Sequence, residues 1–287
     1  MFGRVQLRWW RVRRVTPLPE LGVGIGWRPE IAGVVAELPG LRFCEVVAEG
    51  VQTNAPLTGA LAALRDRGVT LVPHGVRLSL GGAEPVEPSR VAHLAKCAAL
   101  LGAPLVSEHI AFVRAGGIQA GHLLPVPRTR AALDALAANY ARTRDVLGNV
   151  PLALEPIAAL FDWPDDEYDE ADFLNALLDR IDASLLLDVA NVYANARNRG
   201  QDPMALLDRL PLDRVAYVHV AGGREHEGLY HDTHTDPVPQ PVLDLLTMVS
   251  ERARPAGWLL ERDGDYPPAQ VLRAELAAIA TAAGIPC

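Results

Sequence analysis

The sequence predicts an α/β fold, a single TIM (β/α)8 barrel, from three observations. Short apolar segments alternate with helical segments eight times from Leu21 onward. The segments are mostly apolar throughout, as expected for parallel strands that are buried on both faces. The chain has 287 residues, which is a common length for one barrel of this kind. We therefore expect one barrel domain over residues 18–287.

The predicted strands share a short length, an apolar composition and bounding Gly or Pro residues. They are LGVGIG (21–26), FCEVVA (43–48), VTLVPH (69–74), PLVSEH (104–109), VPLALE (150–155), ASLLLD (183–188), VAYVHV (215–220) and GWLLE (257–261). The predicted helices between and after them cover 29–38, 57–67, 88–101, 129–148, 170–181, 203–209, 239–254 and 267–283. A doubly wound sheet is disfavoured, because GVGIG at the first strand lacks the third glycine of a phosphate-binding GxGxxG motif.

The composition indicates which partners and which cellular compartment to expect. A net charge of −8 and a pI near 5.5 argue against a nucleic-acid surface, which needs clustered Lys and Arg. Cys44, Cys97 and Cys287 are odd in number and lack CxxC spacing, so we expect a cytoplasmic protein without a disulfide framework. No apolar run approaches the roughly 20 residues that cross a bilayer, and no membrane association is expected. Residues 1–17, with five Arg and no acid, are predicted to be a basic, poorly ordered arm.

Polar residues end six consecutive predicted strands. Active sites of this fold lie at the C-terminal ends of the strands, so the last residue of each strand is the position that matters. From the third strand to the eighth the polar residues at these ends are His74, His109, Glu155, Asp188, His219, which is one residue before the end, and Glu261. Their side chains would converge on one barrel mouth, where uncompensated carboxylates repel each other. A bound cation is the economical explanation.

The stretch VAYVHVAGGREHEGLYHDTHTD (215–236) adds further candidate ligands, because a strand there leads into a loop rich in His and Asp. By neighbouring strands the candidates form three groups: His74, His109 and Glu155; Asp188, His219 and Glu261; and Asn191, Asp232 and His234. Glu155 lies between the first two groups and is a candidate bridge. Two histidines with one carboxylate are typical of non-haem iron. The residues alone leave Fe, Mn and catalytic Zn open.

Seven segments between residues 21 and 275 resemble one known family in their order and approximate spacing. They are PHGVRLSLGG, SEHIAF, LLPVPRT, LLLDVANVYANARNRGQDP, VHVAGG, DTHTDPV and LERDGDYPP. As a set they are similar to the DUF692 family, the multinuclear non-haem iron-dependent oxidases. The chain departs from that family's pattern around the mouth at Pro156, Ala190 and Gly222–Gly223, and none of these departures removes a candidate ligand.

The resemblance implies a TIM barrel with two or three Fe ions and O2 as co-substrate. It implies oxidation of cysteine residues in a ribosomally made precursor peptide, often with a partner protein that presents the peptide. By position it implies His74 and His109 on one iron, Glu155 as a bridge, Asp188, His219 and Glu261 on a second, and Asn191, Asp232 and His234 on a third. Glu155, Asp188 and His234 are expected to be catalytic. His231 matches no ligand position.

Two other function classes remain open at this point. The same His, Asp and Glu residues would suit a divalent-metal isomerase or hydrolase on this fold, in which Mn or Zn acts as a Lewis acid. A non-catalytic barrel that binds a partner peptide at its mouth is the other alternative. Metal content separates these classes, because a binding barrel needs no metal.

Overall fold

The computed structural model describes residues 18–285, so the predicted arm at 1–17 and Cys287 lie outside the described residues. The strands are β1 (Gly22–Trp27), β2 (Phe43–Val47), β3 (Thr70–Gly75), β4 (Val106–His109), β5 (Ala111–Ala115), β6 (Ile118–Pro125), β7 (Leu152–Glu155), β8 (Ser184–Asp188), β9 (Val215–Val220), β10 (Arg224–His226), β11 (Leu229–His231) and β12 (Gly257–Leu260). The helices are α1 (Ala32–Ala36), α2 (Gly59–Asp66), α3 (Pro88–Leu101), α4 (Arg130–Leu147), α5 (Glu170–Arg180), α6 (Val189–Asn198), α7 (Pro203–Leu207), α8 (Gln240–Arg252) and α9 (Ala269–Ala282).

Eight parallel strands close into a barrel in the order β1-β12-β9-β8-β7-β4-β3-β2. The predicted fold class is therefore confirmed, and each predicted strand coincides with a barrel strand to within two residues. One helix and two antiparallel hairpins were not predicted: α6, and the hairpins β5–β6 and β10–β11, which follow β4 and β9. No helix within residues 18–285 is long and apolar enough to cross a membrane.

The barrel interior follows from the alternation of side chains along each strand. An inner apolar cluster includes Phe43, Val72, Leu105, Leu186 and Leu259, one from each of five strands or the residue just before the strand. A larger cluster lies between the strands and the surrounding helices. Two residues beyond Val72, Leu186 and Leu259 the chain reaches His74, Asp188 and Glu261. The same strand face that builds the apolar floor therefore carries the polar mouth.

Gly24 illustrates how tightly this interior is filled. A Cβ atom at Gly24 would lie 2.4 Å from the Cδ1 atom of Phe43 and 2.6 Å from the Phe43 carbonyl oxygen. The backbone oxygen belongs to the neighbouring barrel strand, since Gly24 and Phe43 are partners in the β1–β2 ladder. A side chain at this position would therefore push two paired strands apart.

We expect Gly24→Ala to lower the free energy of unfolding by about 1–3 kcal/mol, the usual cost of overpacking a filled core. Gly33→Ala is the matched control, because a Cβ there meets nothing within 4 Å and the residue lies in α1. The control should be neutral or more stable by up to about 1 kcal/mol, since Ala favours helix over Gly. Urea denaturation measures both, and equal midpoints would contradict the close packing of β1 on β2.

Candidate metal centre

The Glu155 carboxylate lies at the centre of the mouth among three histidine rings. Its Oε2 atom is 3.5 Å from His74 Nε2 and 3.3 Å from His109 Nε2. Its Oε1 atom is 3.2 Å from His219 Nδ1, which is also 3.0 Å from Glu261 Oε2. One carboxylate therefore presents one oxygen to each of two groups of side chains.

The scaffold holds the opposite nitrogen of each of these three rings. His109 Nδ1 is 3.2 Å from the Gly75 carbonyl oxygen. A carbonyl oxygen only accepts, so this nitrogen carries the proton and donates it. His74 Nδ1 is 2.8 Å from Ser107 Oγ, and His219 Nε2 is 3.0 Å from Glu45 Oε2. Rings held in this way keep one nitrogen directed at the centre of the mouth, which is how metal-binding histidines are usually oriented.

Asp188 has two roles, one for each carboxylate oxygen. Its Oδ1 atom accepts hydrogen bonds from the backbone N–H groups of Ala190 at 2.6 Å and Asn191 at 3.2 Å, so it caps the N-terminus of α6. Its Oδ2 atom is 3.8 Å from His234 Nε2. The cap fixes the side chain, and the remaining oxygen is directed into the mouth.

The loop after β11 brings Asp232 and His234 to the same place. His234 Nε2 is 2.6 Å from Asp232 Oδ2, and potential ligand atoms of Asp188, Asp232 and His234 all lie within 4.8 Å of one another. His234 has a φ of 54°, a strained backbone for a non-glycine residue that is typical of functional sites. Asp188 is therefore the third member of this group. It also belongs to the group of Glu155, His219 and Glu261.

Asn191, the other candidate of the third group, is hydrogen-bonded to the loop after β7. Its side-chain oxygen accepts from the Ala158 N–H at 3.0 Å, and its amide donates to the Pro156 carbonyl at 3.1 Å. These contacts fix the residue at the mouth beside Pro156. A ligand role for Asn191 stays a prediction, since an amide oxygen has a second lone pair.

The electrostatics of the mouth are those of buried ion pairs with one unbalanced acid. Burial lowers the pKa of His109, but the Glu155 and Glu108 carboxylates outweigh it and raise the pKa to about 9. Burial raises the pKa of Glu155, but His219 and His109 outweigh it and lower the pKa to about 2. For Asp188, burial and the nearby Asp232 together raise the pKa to about 8. Asp188 is thus the position where the protein supplies too little positive charge.

Several candidate ligand atoms of the mouth are buried and, despite close neighbours, form no hydrogen bond of acceptable geometry among the described residues. They are Glu155 Oε2, Asp188 Oδ2, His219 Nδ1 and Asp232 Oδ1. Buried polar atoms without partners are costly, and four of them at one mouth need an explanation. Carboxylate oxygens and imidazole nitrogens are ligands that divalent first-row metals accept, so the donor set fits a bound metal.

Two glycines allow the loop that carries Asp232 and His234, the ligand loop, to lie against the end of β9. A Cβ atom at Gly222 would lie 2.2 Å from the Asp236 carbonyl oxygen, and one at Gly223 would lie 2.3 Å from the His231 carbonyl oxygen. In addition, the buried Arg262 donates to the Thr235 carbonyl and forms two 2.9 Å hydrogen bonds with Glu275 of α9. The loop is therefore clamped at two places.

Sequence reasoning missed five side chains that surround the candidate ligands. Glu45, Ser107 and Tyr217 lie below the histidines and are at most 2% exposed. Asp263 lies 3.3 Å from His234 Nδ1 and forms a group with His234 and Glu261. Arg28 donates to Asp263 at 2.5 Å and to Glu261 at 3.4 Å. Glu45 carried the available signal, because a lone acid at an inward position of a buried strand needs a partner.

Comparison with known proteins identifies the family. A sequence model described as RiPP precursor modification enzyme MbnB/TglH/ChrH matches residues 22–284. The chain belongs to this family. The match includes every candidate ligand named above. Membership also confirms the resemblance drawn from the sequence segments.

Curated relatives of this family member carry the name UPF0276 protein. The one from Streptomyces avermitilis is 53% identical over 275 residues, which are 93% of this chain and 56% of that protein. The chain thus spans little more than half the length of that relative. A second, from Caulobacter vibrioides, is 35% identical over 266 residues, which are 91% of this chain and 94% of that protein.

Solved structures similar to this family member are barrels of low sequence identity. Endonuclease IV from Thermus thermophilus has a TM-score of 0.59 and 20% identity, and covers 91% of this chain and 99% of its own. A 3-keto-D-glucoside 4-epimerase from E. coli has a TM-score of 0.58 and 14% identity, with the same two coverages. At these identities the likeness shows the fold alone.

We expect Arg262→Ala to lower the free energy of unfolding by about 3–5 kcal/mol, because it leaves the Glu275 carboxylate without its partner in a buried pair. Arg252→Ala is the control, since Arg252 pairs with Asp208 at the surface and both side chains are about half exposed. The control should cost less than about 1 kcal/mol. Chemical denaturation measures both, and similar small losses would show that the clamp does not hold the loop.

Proposed function

We propose that the protein is a multinuclear non-haem iron-dependent oxidase that uses O2 to modify cysteine residues of a ribosomally made precursor peptide. One observation carries the proposal: the Glu155 carboxylate lies between a two-histidine group and a second group that contains His219 and Glu261. Two histidines with one carboxylate favour non-haem iron, and a shared carboxylate favours more than one ion. Membership of a RiPP precursor modification family supports a precursor peptide as substrate.

We assign the residues to ions by the distances between their candidate ligand atoms. His74 and His109 would hold one iron with Glu155, and Asp188, His219 and Glu261 would hold a second with Glu155 as the bridge. Asp232 and His234 would hold a third ion, with Asp188 shared and Asn191 as the remaining candidate. Bound iron supplies an O2-reactive centre that also binds and acidifies a thiol.

The protein's own contribution is position and the exclusion of water. Glu155, Asp188 and His219 are at most 2% exposed, so the centre is largely dry and its electrostatic interactions are strong. Glu155, Asp188 and His234 each belong to two groups of candidate ligands, and we propose these three residues as catalytic. A cysteine-containing peptide would reach them from the open end of the barrel, with a separate partner protein presenting it in the cytoplasm.

Metal content and activity test the proposal together. Protein purified without chelators should contain about two to three Fe per chain if all three groups are filled. It should consume O2 only with a cysteine-containing precursor peptide, and a Cys→Ser peptide is the matched control. Turnover with Zn or Mn alone and without O2 would replace the oxidase by a Lewis-acid isomerase or hydrolase. Protein that retains no metal would favour a peptide-binding barrel.

Variants of the ligand loop test the third group. We expect Asp232→Ala, His234→Ala and the double variant to lose activity and iron to a similar extent, because removal of either ligand already empties the site. His231→Ala is the control, since its ring packs against His226 with centroids 5.7 Å apart and belongs to none of the groups. Iron analysis of all four variants decides the matter. Small and additive losses, or a larger loss in His231→Ala, would refute this assignment.

A further inference from the structure

A continuous chain of buried hydrogen bonds runs beneath the mouth and joins two of its histidines. His74 Nδ1 is 2.8 Å from Ser107 Oγ, which is 2.8 Å from the Tyr217 hydroxyl. The hydroxyl is 2.5 Å from Glu45 Oε2, and the same oxygen is 3.0 Å from His219 Nε2. All five side chains are at most 2% exposed. We call this series of hydrogen bonds the relay; its middle members, Ser107, Tyr217 and Glu45, lie between the apolar floor and the candidate ligands.

The proton positions along this chain follow from the chemistry of its members. A carboxylate only accepts, so the Tyr217 hydroxyl and His219 Nε2 both donate to Glu45. The single Tyr217 proton is then used, and its oxygen accepts from the Ser107 hydroxyl. Ser107 Oγ in turn accepts from His74 Nδ1. The hydrogen bonds therefore all run toward Glu45.

We propose that Glu45 is a positioning residue that fixes the protons on two histidines of different groups. Through the relay it keeps a proton on His74 Nδ1, and by direct contact it keeps one on His219 Nε2. The lone pairs then lie on His74 Nε2 and His219 Nδ1, the nitrogens of these two rings that face Glu155. This inference rests on the metal centre proposed above, because a lone pair directed at Glu155 matters only where a cation is bound.

Glu45 contacts His219 directly but reaches His74 only through Tyr217 and Ser107. These two arms of the relay differ in length, so variants can test each one separately. Tyr217→Phe and Ser107→Ala each cut the arm to His74 and leave the Glu45–His219 contact in place. Glu45→Gln affects both arms. The amide of this variant can donate to the Tyr217 oxygen, so the hydrogen bonds from there to His74 can reverse their direction. Partners behind metal-bound histidines typically contribute 10- to 100-fold in metal affinity.

Equilibrium dialysis of metal-free protein against Mn(II) alone tests the proposal without any activity measurement. We expect wild type to show sites that Glu45→Gln weakens roughly 10- to 100-fold at both histidine groups, and that Tyr217→Phe and Ser107→Ala weaken at one group only. Val46→Ala, a substitution on the neighbouring position of the same strand, should leave affinity unchanged. Unfolding curves of every variant report whether the fold persists.

Nitrogen-15 NMR of histidine-labelled protein loaded with diamagnetic Zn(II) reads the protons directly. Wild type should carry a proton on His74 Nδ1 and on His219 Nε2, and Tyr217→Phe should alter the signals of His74 while those of His219 stay. This comparison still decides the matter if Glu45→Gln does not fold. Unchanged affinity and unchanged His74 signals in Tyr217→Phe and Ser107→Ala would overturn the relay while wild-type metal binding stands. A wild type that binds neither metal would overturn the proposed centre as well.

Discussion

The position of one buried carboxylate constrains the rest of this protein. Glu155 is 2% exposed, and Glu261 and Asp188 are buried beside it. Three acids in such a space repel each other and lose hydration, so the centre is stable only where positive charge is supplied. His219 and His109 supply part of it and lower the pKa of Glu155. The surrounding strands serve to hold these charges in register.

Much of the fold and of the mouth was predictable because both depend on local patterns. Buried parallel strands read as apolar runs, and in a barrel their last residues meet at one end, so His74 or Glu261 needed no tertiary knowledge. Helix α6 was missed because it follows β8 without a loop and is rich in Asn, a weak helix former. Asp188 serves as both strand end and helix cap, and only the first role was read from the sequence.

The parts that sequence reasoning missed depend on contacts between distant segments. The assignment of Asp188 to two groups follows from the path of the loop after β11, which Arg262 and the close approach at Gly222–Gly223 determine. No local pattern encodes that path. Glu45 and Tyr217 are 172 residues apart and meet only because the barrel closes. A polar residue within an apolar run signals a partner, but it does not identify that partner.

The barrel is also asymmetric in charge, and β1 explains why. The strand offers glycines at its inward positions, and a Cβ atom at Gly26 would lie 3.3 Å from Arg28 Nη1. The space is filled by the guanidinium of Arg28, which donates to Glu261 and Asp263. Six of the other barrel strands end at candidate ligands, whereas β1 leads directly into a permanent cation, since Arg does not deprotonate in proteins. The carboxylates on that side are balanced by the protein itself, and those around Asp188 are not.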